Sequence, residues 1–373
     1  MNRLVLIGNG FDIAHGLNTS YKHFICWYWN EWGRRLLGGL NKMESDGLCS
    51  FKLKENIDSP NWGYVWGTYY KRKNPLIPWN ANEVIGVAME DRDLCDWNLS
   101  PFMNRIFKSI ATKKWVDIEN EYYSLLIQEK MDFKKGFILP DYRDLNNQLD
   151  ILKTQLIHYL KIESERTTIA FNEIEDKMYR PIRKREVALA SKGKMNYRNP
   201  EINSISKIML LNFNYTRTPE LYTTNRTNVS INYIHGRIDI PDSVIFGYGD
   251  ELDTGFQKLK DLNNNECLRN IKSIRYLESD NYRKMLEFIE SAPFQVCIMG
   301  HSCGNSDRTL LNTLFEHKNC VSVKPYYYID EEGKDNYLDL VQNISRNFTD
   351  MKLMRDRVVN KTYCEPLTNR NNN

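Results

Sequence analysis

The sequence predicts an α/β fold in which a mostly parallel, Rossmann-like sheet carries a large helical insertion. The run Leu4–Ile7 has no polar face, which is typical of a strand buried on both sides in a parallel sheet covered by helices. Further apolar runs precede the polar or glycine-containing turns at 212–216, 235–236 and 300–307. Leucine spacing after residue 308 then repeats the order of strand, turn and helix that the amino terminus shows.

The predicted sheet domain is divided along the chain. Residues 1–25 and 205–360 form the α/β nucleotide-binding core, and residues 26–204 form a helical, aromatic-rich insertion. Within the insertion, leucines recur every three or four positions over residues 145–160, as on one face of a helix. The asparagine-rich end, 361–373, predicts a disordered tail.

Composition bounds the classes of function. The net charge of +3 over 373 residues is too small to imply nucleic acid or an anionic membrane as a partner. We expect neither a membrane-spanning segment nor a signal peptide, because no apolar run is long enough and none precedes the first strand. The eight cysteines form no CxxC pair, which indicates reduced thiols in a cytoplasmic protein. The histidines lack metal-ligand spacing, so no metal site is predicted.

The loop Gly8-Asn9-Gly10 follows the first predicted strand, at the edge where α/β folds hold phosphates. The dinucleotide fingerprint requires a third glycine three residues later, but Ile13 stands there. A carboxylate at Asp12 would repel a pyrophosphate placed directly against it. The loop therefore indicates either a ligand site or a tight turn without a ligand. Asp12 could accept a hydrogen bond from ribose or adenine, or could occupy the first turn of a helix.

Polar residues follow three later strands as well. Because the carboxyl ends of parallel strands share one edge of a sheet, we expect all four clusters to form a single site. The residues of the three later clusters are Asn214 and Thr216, His235 and Gly236, and Gly300, Ser302 and Asp307.

The four clusters, in this order, resemble the abortive-infection H (AbiH) family of bacterial phage-defence proteins. The most specific matching motif is LIGNGFDIAHGLNTSY, and WVDIE, FNYT, IHG and GHSCGNSD support it. More remotely, the series is similar to sirtuin-like NAD-binding domains, which carry a glycine loop, a strand-end asparagine, a His-Gly pair and a late Gly-x-Ser turn. The matching positions are Asn214, His235, Gly236, Gly300 and Ser302.

The sequence departs from the sirtuin pattern at two places. Asn9, Phe11 and Asp12 replace the small residues of the first loop, and Thr216 replaces the aspartate that follows the asparagine. There is also no zinc-binding cysteine quartet, which argues against a protein deacetylase.

The resemblance implies a phage-defence effector that hydrolyses the nicotinamide–ribose bond of NAD. It implies His235 as the general base and Asn214 as the residue that holds the ribose hydroxyls or the water. Otherwise Asn214 would cap a strand-to-helix turn, His235 would bond to the backbone, and Asp307 would cap a helix. The implied NAD-binding residues are Gly8, Asn9, Gly10, Asp12, Thr216, Gly236, Gly300, Ser302 and Asp307.

NAD is expected as substrate or ligand rather than as a resident cofactor, and a phage trigger, an effector protein and a second copy of the chain are the expected partners. One alternative is a sensor that holds NAD or ADP-ribose without cleaving it, which Thr216 in place of aspartate favours. Another is a nucleic-acid-directed toxin that uses the basic stretch 177–198, although an exposed basic loop explains that stretch better.

Overall fold

The chain divides into two compact units. The first contains residues 1–19, 160–264 and 270–373, and the second contains residues 20–159 and 265–269. The boundaries expected at residues 25 and 204 stay predictions. The computed structural model describes residues 1–37, 43–53, 95–113, 117–128, 141–166, 168–194 and 204–369.

The described residues contain eight strands and twelve α-helices. The strands are β1 (Asn2–Ile7), β2 (Met43–Ser45), β3 (Cys49–Leu53), β4 (Cys95–Leu99), β5 (Ile208–Asn212), β6 (Val229–Tyr233), β7 (Phe294–Met299) and β8 (Cys320–Tyr326). The helices are α1 (Asn9–Ala14), α2 (Tyr21–Leu37), α3 (Pro101–Lys113), α4 (Ile118–Gln128), α5 (Tyr142–Ser164), α6 (Asn172–Tyr179), α7 (Thr254–Asp261), α8 (Lys272–Arg275), α9 (Asn281–Ser291), α10 (Arg308–Phe315), α11 (Tyr337–Arg346) and α12 (Met351–Arg357). Each described helix is too short or too polar to span a bilayer.

A five-stranded sheet forms the centre of the first unit. Its order is β6-β5-β1-β7-β8, and every neighbouring pair is parallel. Arg3 is in register with Ile208 on one side and with Gln295 on the other. These observations confirm the predicted α/β class and its parallel, Rossmann-like sheet. Because later strands are added on both sides of β1, the order reverses between β1 and β7, where open α/β sheets bind ligands.

The sheet separates two apolar clusters. Leu4 and Leu6 belong to the cluster that includes residues of α9, α10, α11 and α12, whereas Val5 and Ile7 belong to the cluster that includes residues of α1 and α6. Successive side chains of a strand point to opposite faces, so a strand covered by helices on both sides is apolar throughout. The apolar runs in the sequence therefore reflect burial on two faces.

The second unit contains a small sheet that the sequence did not predict. It contains a three-stranded antiparallel sheet, β2-β3-β4, besides α2, α3 and α4. Strands of three to five residues are too short for an alternating pattern to stand out in the sequence. The first part of the tryptophan-rich stretch, residues 27–37, lies in the 17-residue helix α2.

The carboxyl-terminal segment also differs from expectation over residues 361–369. Lys361–Tyr363 form a 3-10 turn, and Leu367 is buried in the cluster that contains Val5. The backbone N–H of Leu367 donates to the carbonyl of Tyr327 at 2.8 Å. One apolar side chain within a polar sequence therefore anchors this segment. Residues 370–373 of the predicted disordered tail lie outside the described residues.

The turns after β1 and β7 pack against each other through their backbones. The N–H of Gly10 donates to the carbonyl of Gly300 at 2.8 Å. Gly300 has a φ of +76°, and a Cβ atom there would lie 2.0 Å from the nitrogen of Phe11. Gly8 is constrained by space alone, since a Cβ there would lie 2.5 Å from Cα of His301. Glycine is therefore required at this contact for steric reasons.

We predict that Gly300→Ala lowers the free energy of unfolding by about 3 kcal/mol or more, since it adds a backbone clash to the strain of a left-handed alanine. Gly333→Ala is the matched control: its φ is +83°, but a Cβ there has nothing within 4 Å. The control should lose only about 1 kcal/mol. Urea unfolding of both variants checks this. Equal losses in the two would show that the contact between the turns does not constrain residue 300.

Candidate functional site

The four predicted clusters lie along the carboxyl edge of the parallel sheet. Backbone pairing continues beyond the strands, because the N–H of Phe213 donates to Ile7 O at 2.9 Å and that of Ile234 donates to Asn212 O at 3.2 Å. The turns after β1, β5 and β6 are therefore direct neighbours. The turn after β7 joins them through the contact between Gly10 and Gly300.

Asn214 connects the turn after β5 to the turn after β1. Its Nδ2 donates to the carbonyl of Gly8 at 3.0 Å, and its backbone N–H donates to Asn212 Oδ1 at 3.1 Å. Asn212 Nδ2 in turn donates to the carbonyl of Thr216 at 3.0 Å. The next 3-10 helix, Thr218–Tyr222, begins after Arg217 without a side-chain cap, so Asn214 does not cap it. Asn214 is instead a fixed amide at the sheet edge, 9% exposed.

Asp12 lies buried in the first turn of α1. Its Oδ2 accepts a hydrogen bond from Thr216 Oγ1 at 2.7 Å, whereas its Oδ1 has no hydrogen-bond partner among the described residues. Burial raises the pKa of Asp12 to about 6, although the hydrogen bond from Thr216 opposes the rise. Asp12 therefore places a buried carboxyl group beside the hydroxyl of Thr216.

His235, which follows β6, belongs to a buried cluster of polar side chains. Its Nε2 lies 3.2 Å from Asp307 Oδ1 and 3.1 Å from the hydroxyl of Tyr276, so the ring bonds to side chains. Phe213 packs edge-on against the imidazole, with ring centres 5.2 Å apart. Burial lowers the pKa of His235, and the ammonium of Lys272 lowers it further. The imidazole is therefore neutral near pH 7.

Asp307 is the centre of this cluster. Its Oδ1 accepts from Lys272 Nζ at 2.9 Å, and its Oδ2 lies 3.5 Å from His301 Nε2. Burial alone would raise the pKa of Asp307, but Lys272 and His235 outweigh it and hold the pKa well below its usual range. Asp307 occupies the N-cap position of α10, yet its side chain makes no capping hydrogen bond. Its carboxylate contacts Lys272, His235 and His301 rather than the backbone N–H groups at the start of α10.

The remaining predicted site residues contribute mainly backbone packing. Gly236 has a φ of +80°, and a Cβ there would lie 2.0 Å from the carbonyl oxygen of Ser243. Ser302 is exposed, and its carbonyl accepts from Asn343 Nδ2 at 3.0 Å. Asn9 accepts through Oδ1 from the hydroxyl of Thr19.

Sequence reasoning missed three members of the His235 cluster. His301 lies within the motif GHSCGNSD, so its place in that motif could have marked it as a site residue. Lys272 is the first residue of α8, a four-residue helix, and Tyr276 directly follows that helix. Neither residue belongs to a recognisable motif, so no sequence signal marks them. In the described residues, no group of His, Cys, Asp and Glu side chains has the geometry to hold a metal ion.

The basic stretch 177–198 lies within the first unit, and two of its cations have partners in the carboxyl-terminal segment of the same unit. Lys177 Nζ donates to the carbonyl of Leu367 at 2.9 Å, and Arg180 forms an ion pair with Glu365. Residues 195–198 lie outside the described residues. Lys177 and Arg180 therefore bind groups within the protein itself.

One known family matches the sequence over most of its length. The profile described as "Bacteriophage abortive infection AbiH" matches residues 4–328, a range that includes all four clusters. No curated protein matches the sequence.

We predict that Asp12→Asn flattens the pH dependence of stability. The folded protein holds the Asp12 proton more tightly than the unfolded chain does, so stability falls as the pH rises from about 4 to about 6. The rise in pKa from 3.8 to about 6 corresponds to about 3 kcal/mol at pH 8. Asn imitates the neutral acid, so the variant should be more stable than the parent at pH 8.

Urea unfolding at pH 4.5, 6 and 8 measures this difference, with the exposed Asp242→Asn as the control. The assignment of a buried, high-pKa carboxyl at residue 12 is wrong if parent and variant show the same pH dependence.

Proposed function

The chain belongs to the AbiH family and so has a role in phage abortive infection, and we propose that it fulfils this role by hydrolysing the nicotinamide–ribose bond of NAD. The observation that carries the proposal is the position of His235, whose Nε2 lies 3.2 Å from Asp307 Oδ1 at the carboxyl edge of the sheet, and burial lowers the pKa of this imidazole. This base follows the strand next to the one that Asn214 follows, at the edge where parallel α/β sheets bind nucleotides.

The proposed reaction needs few groups. The oxygen of a water molecule bonds to C1′ of the ribose while the bond from C1′ to the nicotinamide nitrogen breaks. Nicotinamide leaves as a neutral molecule with the bonding electron pair, and His235 accepts the proton of the water. Asn214 orients the ribose and the water, since hydrogen bonds to backbone and side-chain groups on both sides fix its position.

The environment of Asp12 supports the proposal. A carboxylate near the reacting sugar would stabilise the positive charge that develops on the ribose as the bond breaks. Thr216 stands two residues after Asn214 and cannot provide that charge, but its hydroxyl donates to Asp12. Asp12 could therefore take the role from the neighbouring turn.

A second candidate function is binding of NAD or ADP-ribose without cleavage. Burial of the site favours it, since His235 is 3% exposed and Asp12 is 1% exposed. A general base must come within hydrogen-bond distance of the attacking water, and such burial restricts that approach. In this second case the same residues would recognise the nucleotide and pass the signal on.

The deciding experiment incubates the purified protein with NAD, with and without lysate of infected cells, and quantifies NAD and free nicotinamide by chromatography. Release of nicotinamide in step with loss of NAD supports hydrolysis. Tight NAD binding without any nicotinamide under either condition supports the sensor function.

We predict that His235→Gln lowers the rate of nicotinamide release by about 10²–10⁴-fold, the usual effect of losing a general base. The glutamine amide can still donate to Asp307 but cannot accept the proton, so folding should survive. His317→Ala is the control, because His317 pairs with Glu290, which lies outside the cluster. Full turnover by His235→Gln would remove His235 from the reaction.

We further predict that Asn214→Ala weakens NAD binding and lowers turnover together. Combined with His235→Gln, its effect should be less than additive, because both groups act on the same positioned sugar and water. Titration calorimetry and the nicotinamide assay measure the two quantities. Independent, fully additive losses would contradict a shared site.

A further inference from the structure

Three donors surround Asp307 in the interior of the first unit. They are Lys272 Nζ at 2.9 Å, His235 Nε2 at 3.2 Å and His301 Nε2 at 3.5 Å. The four side chains are at most 9% exposed. An ionised carboxylate only accepts hydrogen bonds, so it suits three donors and no other group at this position.

The tautomer of His301 follows from the backbone. Cys303 adopts a left-handed φ of 55°, and its N–H donates to His301 Nδ1 at 3.0 Å. Because Nδ1 accepts, Nε2 of a neutral His301 carries the proton and faces Asp307 as a donor. Oδ2 of Asp307 therefore accepts from His301, and Oδ1 accepts from Lys272 and His235.

Lys272 is held at Asp307 by its own backbone. Its N–H donates to the carbonyl of Tyr248 at 2.8 Å, and its side chain is 1% exposed. Burying an ammonium and a carboxylate together carries a desolvation penalty that their attraction does not always recover. Stability alone is therefore a weak explanation for this pair, and control of the neighbouring imidazole is a better one.

We propose that Asp307 is a positioning residue that fixes the neutral His235 with its proton on Nε2, and that Lys272 keeps Asp307 ionised for this purpose. Nδ1 of His235 then carries the lone pair and is the nitrogen that accepts the proton of water. The proposal rests on the proposed hydrolysis for its consequence in turnover, but the protonation pattern is a property of the protein itself.

The charged and titratable groups that face His235 are Asp307, Lys272, His301, Tyr276 and Tyr215, whose ring centre lies 6.5 Å from that of the imidazole. Asp307 favours a proton on the imidazole, whereas Lys272 and His301 disfavour one. Replacing Lys272 by a neutral residue should therefore raise the pH at which His235 becomes charged. Since only the neutral imidazole acts as base, the acidic limb of the turnover profile should move to higher pH as well.

An amide cannot replace the carboxylate. In Asp307→Asn the single oxygen can face either His301 or the pair of Lys272 and His235, and the NH₂ group then points at a donor in both orientations. In this variant the proton of His235 should no longer be fixed on Nε2. The rate of nicotinamide release should therefore fall by about 10²–10⁴-fold.

The test uses the full chain labelled with ¹⁵N-histidine, and His235→Gln and His301→Gln assign the imidazole signals. We expect the nitrogen shifts of His235 at pH 8 to show the proton on Nε2. Lys272→Met should move the titration of His235 and the acidic limb of turnover to higher pH. Lys284→Met, at an exposed lysine of α9, should move neither.

Two results would overturn the proposal: a proton on Nδ1 of His235 in the parent protein, or an unchanged His235 titration in Lys272→Met. Neither depends on Asp307→Asn folding. If the tautomer and titration follow expectation but no condition yields nicotinamide, the positioning by Asp307 stands and the proposed hydrolysis fails.

Discussion

The backbone contact between Gly10 and Gly300 constrains the whole carboxyl edge of the sheet. It lies between β1 and β7, where the strand order reverses, and the N–H of Gly10 is donated to Gly300 across it. In dinucleotide-binding folds the amides of the first loop face a pyrophosphate. Here the amide of Gly10 is already hydrogen-bonded to the carbonyl of Gly300 in the turn after β7. Under the proposed function, recognition of a nucleotide at this edge would therefore depend more on side chains such as Asn214 than on the amide of Gly10.

Two carboxyl groups at this edge have opposite environments. Asp12 is buried with one oxygen hydrogen-bonded to Thr216, and burial raises its pKa to about 6. Asp307 is buried among Lys272 and two imidazoles, which hold its pKa well below the usual range. Environments that drive the pKa values of neighbouring acids apart are typical of sites that handle protons and charge. The difference arises because the ammonium of Lys272 and two imidazoles contact Asp307, whereas Asp12 accepts from the neutral hydroxyl of Thr216.

The sheet and its turns could be predicted because their causes are local. Burial on both faces accounts for the apolar run from Leu4 to Ile7 in β1, and the close approach of two backbones leaves glycine as the residue that fits at position 300. The partners of Asp307 depend on contacts between residues far apart in the chain. Lys272 lies on a short helix without a motif, and only the folded backbone at Tyr248 brings its ammonium to Asp307. Sequence could name the carboxylate but not what it binds.

Burial of the site has a consequence for the proposed activity. The segment 243–250 contacts two residues of the His235 cluster through the backbone. Ile245 N–H donates to the carbonyl of His235, and Lys272 N–H donates to the carbonyl of Tyr248. Unrestricted hydrolysis of NAD would arrest an uninfected host, so a defence enzyme must stay inactive until infection. A base that is 3% exposed meets that requirement, since substrate reaches it only when its cover moves. Under the proposed function, His235 would become accessible to substrate only after the residues that bury it move, and its contact with Asp307 is already in place before that movement.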